Sequence, residues 1–429
     1  MSNDLLISFK EAYKNLDLLP LIDEKDLKKF RVNYGENIIA ELQQLIEDSP
    51  AGDGKIIFTG HRGCGKSTLL AELSRCLNNQ YFVVFFSIAD TIEMSDVNHI
   101  NILFAMGVKL METAEKNNLP IPETNKNALY KWFAKKTQIE EEKFSATTSA
   151  GFDLFKLIVG KLQADAFIRS EIKQEFERKI SELIARINEI AAVVYAASKK
   201  EILVIIDDLD KLELGKVNEI YKDNLKAICN PNFRVVYTIP IATLRDRTIR
   251  TIIETETNSQ LVVMPVIKLF DKEAKRQPNA NPRDEEKKIL LDMLTKRITP
   301  ELIEPQTAEN IVLYSGGVLR ELIRIANECC RICLRLVRKI PPETPLKINQ
   351  DILAEAVNKL RNDFATPLGK IDYEILKKTY ENFEPEDPRD GDFLDLLHGL
   401  VILEYRNKQN WYDVHPIIID LLKDRGLIM

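Results

Sequence analysis

The stretch Gly60-His61-Arg62-Gly63-Cys64-Gly65-Lys66-Ser67 decides the fold. It matches in full the phosphate-binding pattern G-x-x-x-x-G-K-S/T. Glycines in such a loop tolerate positive φ, so successive backbone N–H groups can turn inward around phosphate oxygens. A short apolar stretch at 55–59 precedes the loop and a helical pattern begins at Lys66. This strand–loop–helix context argues against a glycine-rich turn that matches by chance.

The motif predicts a nucleotide and magnesium site. The backbone N–H groups of the loop and the N-terminus of the following helix are expected to surround phosphate oxygens. Lys66 is expected to reach the β- and γ-phosphates, and the hydroxyl of Ser67 to ligate Mg²⁺. ATP is favoured over GTP because no guanine-reading N/T-K-x-D segment stands out. The predicted nucleotide-binding residues are Gly60, His61, Arg62, Gly63, Cys64, Gly65, Lys66, Ser67 and Thr68.

Acidic residues follow a second apolar stretch, at 203–206. Asp207 and Asp208 come directly after it, and Asp210 follows. Because the carboxyl ends of parallel strands form the ligand-binding edge of such sheets, we expect Asp207 to hold Mg²⁺ and Asp208 to orient or deprotonate the attacking water. Acids after a strand are also common turn formers. Asp210 could serve the same site or cap the next helix, and the cap is favoured.

Thr238 is a further catalytic candidate. It lies near the end of the apolar stretch 234–239, which is predicted to adjoin the acidic strand. There its hydroxyl could contact the γ-phosphate or the lytic water. Threonine is also an ordinary strand former, so a purely structural role is the alternative.

The order of elements predicts an α/β fold. Apolar stretches at 55–59, 81–88, 202–206, 234–239 and 261–266 read as strands separated by helical patterns, which is typical of a doubly wound parallel sheet. The pattern at 166–197 indicates one long amphipathic helix, either packed on its own domain, which is favoured, or forming a helical hairpin or a coiled-coil arm. Residues 30–34 alternate like a strand. The predicted domains are an N-terminal segment 1–35, a core 36–270 with a helical insertion at about 115–200, a helical lid 284–363 and a winged-helix-like domain 370–429.

Composition excludes several protein classes. The 429 residues carry 60 Lys and Arg against 66 Asp and Glu, a net charge of −6, unlike a strongly basic nucleic-acid protein. No apolar stretch approaches the roughly 18 residues that span a bilayer, and the first residues lack the positive charge of a signal peptide. The 6 cysteines form no disulfide framework, so we expect a cytoplasmic protein. Cys329, Cys330 and Cys333 lack a partner pair for zinc and are interpreted as buried apolar residues.

Together the loop, the acidic strand, the polar strand end and the helical lid resemble the AAA+/STAND group of P-loop ATPases. The stretch Asp207-Asp208-Leu209-Asp210-Lys211 resembles the acidic strand of KAP-type ATPases. The resemblance covers about residues 30–340 and extends more weakly through the winged helix. It implies a parallel sheet sandwiched by helices, then a helical lid and a winged helix. It also implies Mg²⁺-dependent ATP hydrolysis, switching between ATP and ADP, homo-oligomers, a separate effector protein and a role in prokaryotic signalling or antiviral defence.

The resemblance also assigns site residues. Arg320 would be the lid's nucleotide-sensing arginine, although a surface arginine is the alternative. His415 would contact the bound diphosphate, or would only cap a helix. Arg245, Arg247 and Arg250 are candidates for an arginine that acts on a neighbouring subunit's nucleotide, or form a charged face. Some of Phe30, Val32 and Tyr34 would touch the adenine.

A DNA-binding ATPase of the origin-recognition or transposition-regulator type is the alternative function. A lid followed by a winged helix is the layout of such proteins. The acidic residues between 384 and 398 argue against DNA contacts, while Arg406 and Lys408 on the wing give modest support. A small-molecule kinase and a nucleotide-bound scaffold without hydrolysis are less favoured.

Overall fold

The computed structural model describes residues 2–50, 52, 54–139, 151–278, 280–339, 341, 345–406 and 409–429. Its strands are β1 (Lys55–Gly60), β2 (Tyr81–Ser87), β3 (Glu201–Asp207), β4 (Arg234–Ile239), β5 (Leu261–Met264), β6 (Ile402–Arg406) and β7 (Asn410–Val414). The helices as far as β4 are α1 (Ser2–Asn15), α2 (Glu24–Phe30), α3 (Glu36–Asp48), α4 (Lys66–Leu77), α5 (His99–Lys116), α6 (Glu123–Lys136), α7 (Gly151–Ala164), α8 (Ala166–Glu177), α9 (Ile180–Ser198), α10 (Leu214–Val217) and α11 (Leu225–Ile228). Those after β4 are α12 (Arg247–Glu256), α13 (Asp284–Thr295), α14 (Pro305–Tyr314), α15 (Leu319–Val337), α16 (Gln350–Ala365), α17 (Lys370–Asn382), α18 (Gly391–His398) and α19 (Pro416–Asp424).

The chain forms two compact units. The first, here called the sheet unit, consists of Asn37–Thr59 and Leu69–Val263. The second, here called the lid unit, consists of Met1–Glu36, Gly60–Thr68 and Met264–Met429. The phosphate loop therefore groups with the lid and the winged helix.

The sheet unit is built on a five-stranded sheet in the order β2-β3-β4-β1-β5. β2 pairs with β3, β3 with β4, and β4 with β1, all in parallel register. All six residues of β1 and of β4 are buried, as expected for apolar strands covered by helices on both faces. The predicted α/β fold with a parallel sheet is confirmed.

The helical insertion packs on its own unit. α8 and α9 replace the single helix predicted for 166–197, and the break lies at Arg178 and Lys179. The apolar positions of that prediction are buried in the same hydrophobic core as α5, so they do not line a coiled-coil arm. Residues 140–150, part of the predicted insertion, lie outside the described residues.

The lid unit contains the predicted helical lid, α13 to α16, and the predicted winged helix. The winged helix comprises α17, α18, the antiparallel β6–β7 hairpin and α19. The predicted turn at Asn407 and Lys408 lies outside the described residues. Gly317 needs to be glycine, because its φ is +85° and an added Cβ would lie 1.8 Å from the carbonyl oxygen of Ile267.

The prediction of a strand at residues 30–34 is wrong. α2 ends at Phe30, and the following residues run without regular structure. Phe30 and Val32 are buried, and the hydroxyl of Tyr34 donates to the carbonyl oxygen of Pro265 at 2.7 Å. Tertiary contacts rather than sheet pairing therefore bury these alternating residues. Among the described helices, none has both the length and the apolar character needed to cross a membrane.

Candidate nucleotide site

The phosphate loop has the strand–loop–helix form that the motif predicts. β1 ends at Gly60 and α4 begins at Lys66. The loop glycines Gly60, Gly63 and Gly65 all have positive φ. At Gly63 an added Cβ would lie 2.5 Å from the Cβ of Arg320, so only glycine fits there.

Lys66 lies inside this loop. Its Nζ donates to the carbonyl oxygens of Gly60 and His61, each at 2.8 Å, and the residue is 4% exposed. The hydroxyl of Thr68 accepts the N–H of Leu21 at 3.1 Å, which links the N-terminal segment to the start of α4. Ser67, the predicted metal ligand, is half-buried at the second position of α4.

The lid and the winged helix contact three consecutive loop residues. His61 Nε2 accepts the backbone N–H of Glu404 in β6 at 2.8 Å. Arg62 Nη2 lies 2.6 Å from Nε2 of His398, the last residue of α18. The carbonyl of Gly63 accepts the N–H of Arg320, in the first turn of α15, at 3.0 Å.

Each of the two histidines acts as a hydrogen-bond acceptor at Nε2. A backbone N–H and a guanidinium can only donate, so His61 and His398 must accept with neutral rings. These loop contacts to the C-terminal modules are absent from the sequence-based prediction. It assigned His61 and Arg62 to phosphate binding and gave His398 and Glu404 no role.

The acidic residues lie at the end of β3 in the sheet unit. One carboxylate oxygen each from Asp207, Asp208 and Asp210 lies within 4.8 Å of the others, and all three residues are buried. Carboxylate oxygens are the ligands that Mg²⁺ prefers, so this donor set fits the predicted metal. Asp208 has a φ of +68°, an unusual backbone conformation for a residue other than glycine.

Two neighbours hold the carboxylate of Asp208. The hydroxyl of Ser87, at the end of β2, donates to its Oδ2 at 2.7 Å. The ammonium of Lys211 lies 2.6 Å from its Oδ1. Sequence reasoning missed both residues. The criterion that selected Thr238, a polar side chain ending an apolar strand, would also have selected Ser87.

Asp210 is not the cap of the next helix. It lies in a helical turn, Leu209–Lys211, and Glu213 occupies the N-cap of α10. The expectation of a capping role is therefore wrong. The carboxylate of Asp210 instead groups with those of Asp207 and Asp208.

Thr238 lies beside the acidic turn. Its hydroxyl donates to the carbonyl of Ile206 at 3.2 Å and accepts the N–H of Leu209 at 3.0 Å. The side chain is completely buried. These two bonds fix the backbone on both sides of Asp207 and Asp208, so Thr238 positions the acidic turn.

His415 caps a helix. Its Nδ1 accepts the N–H of Ile417 at 3.3 Å at the start of α19, and its ring stacks on Phe364. Complete burial lowers the pKa of His415 to about 3. Nε2 has no hydrogen-bond partner among the described residues. The capping alternative is confirmed, and diphosphate contact remains a prediction.

The three arginines considered for action on a neighbouring subunit lie after β4. Arg245 belongs to the turn Ile241–Arg245, and Arg247 and Arg250 are exposed on α12. Arg250 pairs with Glu254 at 2.8 Å. Their geometry does not select one of them.

Cys329, Cys330 and Cys333 are buried on α15. Burial raises the pKa of Cys333 to about 12, which disfavours the thiolate that a metal needs.

Comparison with known protein families finds a match in the core of the chain. Residues 35–236 match the family model described as "KAP family P-loop domain". The core of this chain is similar to KAP P-loop ATPases. The matched residues include the phosphate loop and the Asp207–Asp208 pair, and the KAP-type resemblance is confirmed. No curated protein sequence matches the chain significantly.

Solved structures with distant similarity include three archaeal proteins. The Walker-type ATPase PabY2304 of Pyrococcus abyssi is 15% identical, with 95% of this chain and 99% of that chain covered and a TM-score of 0.46. Cdc6p from Pyrobaculum aerophilum is 11% identical over 95% and 97% of the two chains, with a TM-score of 0.41. The Orc1 protein of Aeropyrum pernix, solved in complex with DNA, is 12% identical over 92% and 94%, with a TM-score of 0.38. These similarities are too distant to transfer function.

Proposed function

We propose that this chain is a Mg²⁺-dependent ATPase whose nucleotide state controls the docking of its lid and winged helix. The observation that carries this proposal is the contact of three consecutive phosphate-loop residues with those modules. His61 bonds to Glu404, Arg62 to His398, and Gly63 to Arg320. A nucleotide that enters the loop therefore meets residues already bonded to the C-terminal modules.

The contact of Arg62 gives the switch a physical basis. Its guanidinium donates to a neutral histidine, whereas a triphosphate would offer charged oxygens, which form stronger hydrogen bonds. A ligand shifts a conformational equilibrium only by its differential affinity for the two states. ATP, with the additional charge of its γ-phosphate, would compete for Arg62 more strongly than ADP. We therefore infer that ADP favours the docked winged helix and ATP releases it.

The proposed chemistry uses the residues of the two motifs. Lys66 would neutralise charge that develops on the transferred phosphoryl group, and Asp208 would orient the attacking water and accept its proton. Ser67 and Asp207, with Asp210, would hold Mg²⁺, which would supply charge neutralisation at the phosphates. Ser87, Lys211 and Thr238 would keep Asp208 in place. Arg320 would sense the nucleotide from the lid.

We infer that the released state exposes a surface for homo-oligomers or for a separate effector protein, as in defence or signalling switches. The test is the particle mass of the full chain with Mg²⁺–ADP and with a non-hydrolysable ATP analogue. We expect a larger particle mass with the analogue than with Mg²⁺–ADP, and a smaller increase with the analogue for Lys66→Ala. An unchanged mass with analogue demonstrably bound would overturn the oligomer part of the proposal.

DNA binding is the competing function. The chain has the lid followed by a winged helix that is expected of a DNA-binding ATPase of this type. The helix before the hairpin, α18, carries Asp392 and Asp395 and is capped by Asp390. On the hairpin, Arg406 pairs with the buried Glu404 at 2.8 Å, and Lys408 lies outside the described residues. This charge distribution disfavours phosphate contacts. Duplex binding with a steep salt dependence would favour the DNA function instead.

A further inference from the structure

A cavity of about 360 Å³ lies inside the lid unit. Its walls come from the segment before α13, the end of α14, α17, the β6–β7 hairpin and α19. This volume falls at the lower end of the range of small-molecule sites. The walls include the rings of Tyr380, Tyr405 and Trp411 and the cations Lys275, Arg276 and Lys423.

The wall carries a surplus of positive charge. Asp413, which has no exposed surface, lies 2.5 Å from Lys275 and 2.5 Å from Arg276, so one carboxylate serves two cations. Within the described part of the chain, Lys423 has no ion pair, and no carboxylate lines the cavity. In a chain with a net charge of −6, such a cavity forms a local positive patch, which attracts anions.

Flat rings form the apolar part of the wall. Tyr405 and Trp411 stack with their ring centroids 4.5 Å apart, and the Tyr405 hydroxyl is fixed by a 2.7 Å bond to the carbonyl of Gly316. The guanidinium of Arg276 lies 3.7 Å from the ring centroid of Tyr380. Its Nε–H is buried and has no hydrogen-bond partner among the described residues. A buried donor without a partner is costly.

We propose that this cavity binds a small aromatic anion, with a flat ring of up to two fused rings and one carboxylate, sulfonate or phosphate group. The ring packs on the aromatic wall, and the anion accepts from Arg276 and Lys423. Such a ligand bridges the segment around Lys275 to the hairpin that also contacts His61. It therefore stabilises the docked winged helix and gives the switch a second input besides ATP.

The test uses 2-naphthalenesulfonate and the full chain. The sequence has 2 tryptophans, Trp132 and Trp411, so in a Trp132→Phe background the tryptophan emission, after subtraction of the emission of the probe itself, reports on the cavity wall. We expect a saturable change in Trp411 emission and a calorimetric stoichiometry of one. The neutral 2-naphthalenesulfonamide should bind more weakly. Equal affinity for the neutral probe would overturn the anion assignment.

Three variants in the same background locate the site. Lys423→Glu, at an exposed position, should weaken sulfonate binding by about three- to tenfold, as expected for one exposed charge that is reversed. Ile419→Trp should fill the cavity and abolish binding. Lys370→Glu, on α17 but outside the cavity, should bind like the parent. Circular dichroism checks that each variant is folded. Unchanged affinity in both Lys423→Glu and Ile419→Trp, or no binding by the parent, would overturn the proposal.

Discussion

The backbone N–H of Glu404 in the winged-helix hairpin donates a 2.8 Å hydrogen bond to Nε2 of His61 in the phosphate loop. Both groups are buried, so the bond does not compete with solvent. Glu404 belongs to no recognised sequence motif, and His61 occupies a variable position of the phosphate-binding motif. This bond is the contact through which, in the proposed function, occupancy of the loop would act on the winged helix.

Replacing His61 should weaken this docking. His61→Ala leaves the Glu404 N–H without an acceptor, at a cost of about 1–3 kcal/mol in the free energy of unfolding of the lid unit. Urea denaturation followed by circular dichroism measures the loss. Lys370→Ala, at an exposed position on α17, is the control and should unfold like the parent. A His61→Ala protein as stable as this control would show that the bond contributes little.

Asp208 should be needed for turnover but not for binding. Asp208→Asn removes the proton acceptor, and we expect ATP hydrolysis to fall by about 10²- to 10⁴-fold while nucleotide affinity changes little. Phosphate release and calorimetry measure the two quantities separately. Asp223→Asn, at an exposed position in the same unit, is the control. Full activity of Asp208→Asn would exclude Asp208 as the base.

Ser87 should act through Asp208. Ser87→Ala removes the donor to Asp208 Oδ2, and we expect kcat to fall by roughly tenfold, the order of one hydrogen bond to a charged group, with KM nearly unchanged. Ser87→Thr retains a hydroxyl and should recover most of the activity. If the threonine variant is as slow as the alanine variant, packing rather than the hydrogen bond explains the effect.

His415 should make stability depend on pH. Its pKa is about 3 in the folded chain, against a usual value of 6.5, so only the unfolded chain binds the proton between these values. Stability is therefore fully present above pH 6.5 and falls by about 1.4 kcal/mol per unit as the pH drops towards 3. His415→Asn keeps a capping side chain and should reduce this slope. Urea denaturation of the parent and of His415→Asn at pH 7.5 and pH 5 measures the change in the free energy of unfolding with pH. An equal change in both proteins would contradict the prediction.

The parallel sheet, the phosphate loop after β1 and the acidic residues at the end of β3 were predictable from local sequence. Strands that are buried on both faces appear in the sequence as continuous apolar runs. The phosphate loop has a recognisable motif because its backbone conformation requires glycine at fixed positions. The hairpin and helices of the winged helix were predictable for the same local reasons.

Features that depend on tertiary contacts were not predictable. The break between α8 and α9 falls at Arg178 and Lys179, where neither glycine, proline nor a capping side chain marks it. The alternation at residues 30–34 predicted a strand, but Phe30 is buried under the guanidinium of Arg297. Glu404 and His398 reach the phosphate loop over more than 330 positions of chain, a separation that no local pattern records.

Amide hydrogen exchange at Glu404 tests the coupling of the phosphate loop to the winged helix most directly. Exchange is measured by mass spectrometry with single-residue fragmentation, in Mg²⁺–ADP and in a non-hydrolysable ATP analogue at saturating concentrations. The account predicts a protected Glu404 amide with ADP and faster exchange with the analogue, with amides of β3 unchanged. Equal exchange of the Glu404 amide in both nucleotides, each shown by calorimetry to be bound, would contradict it.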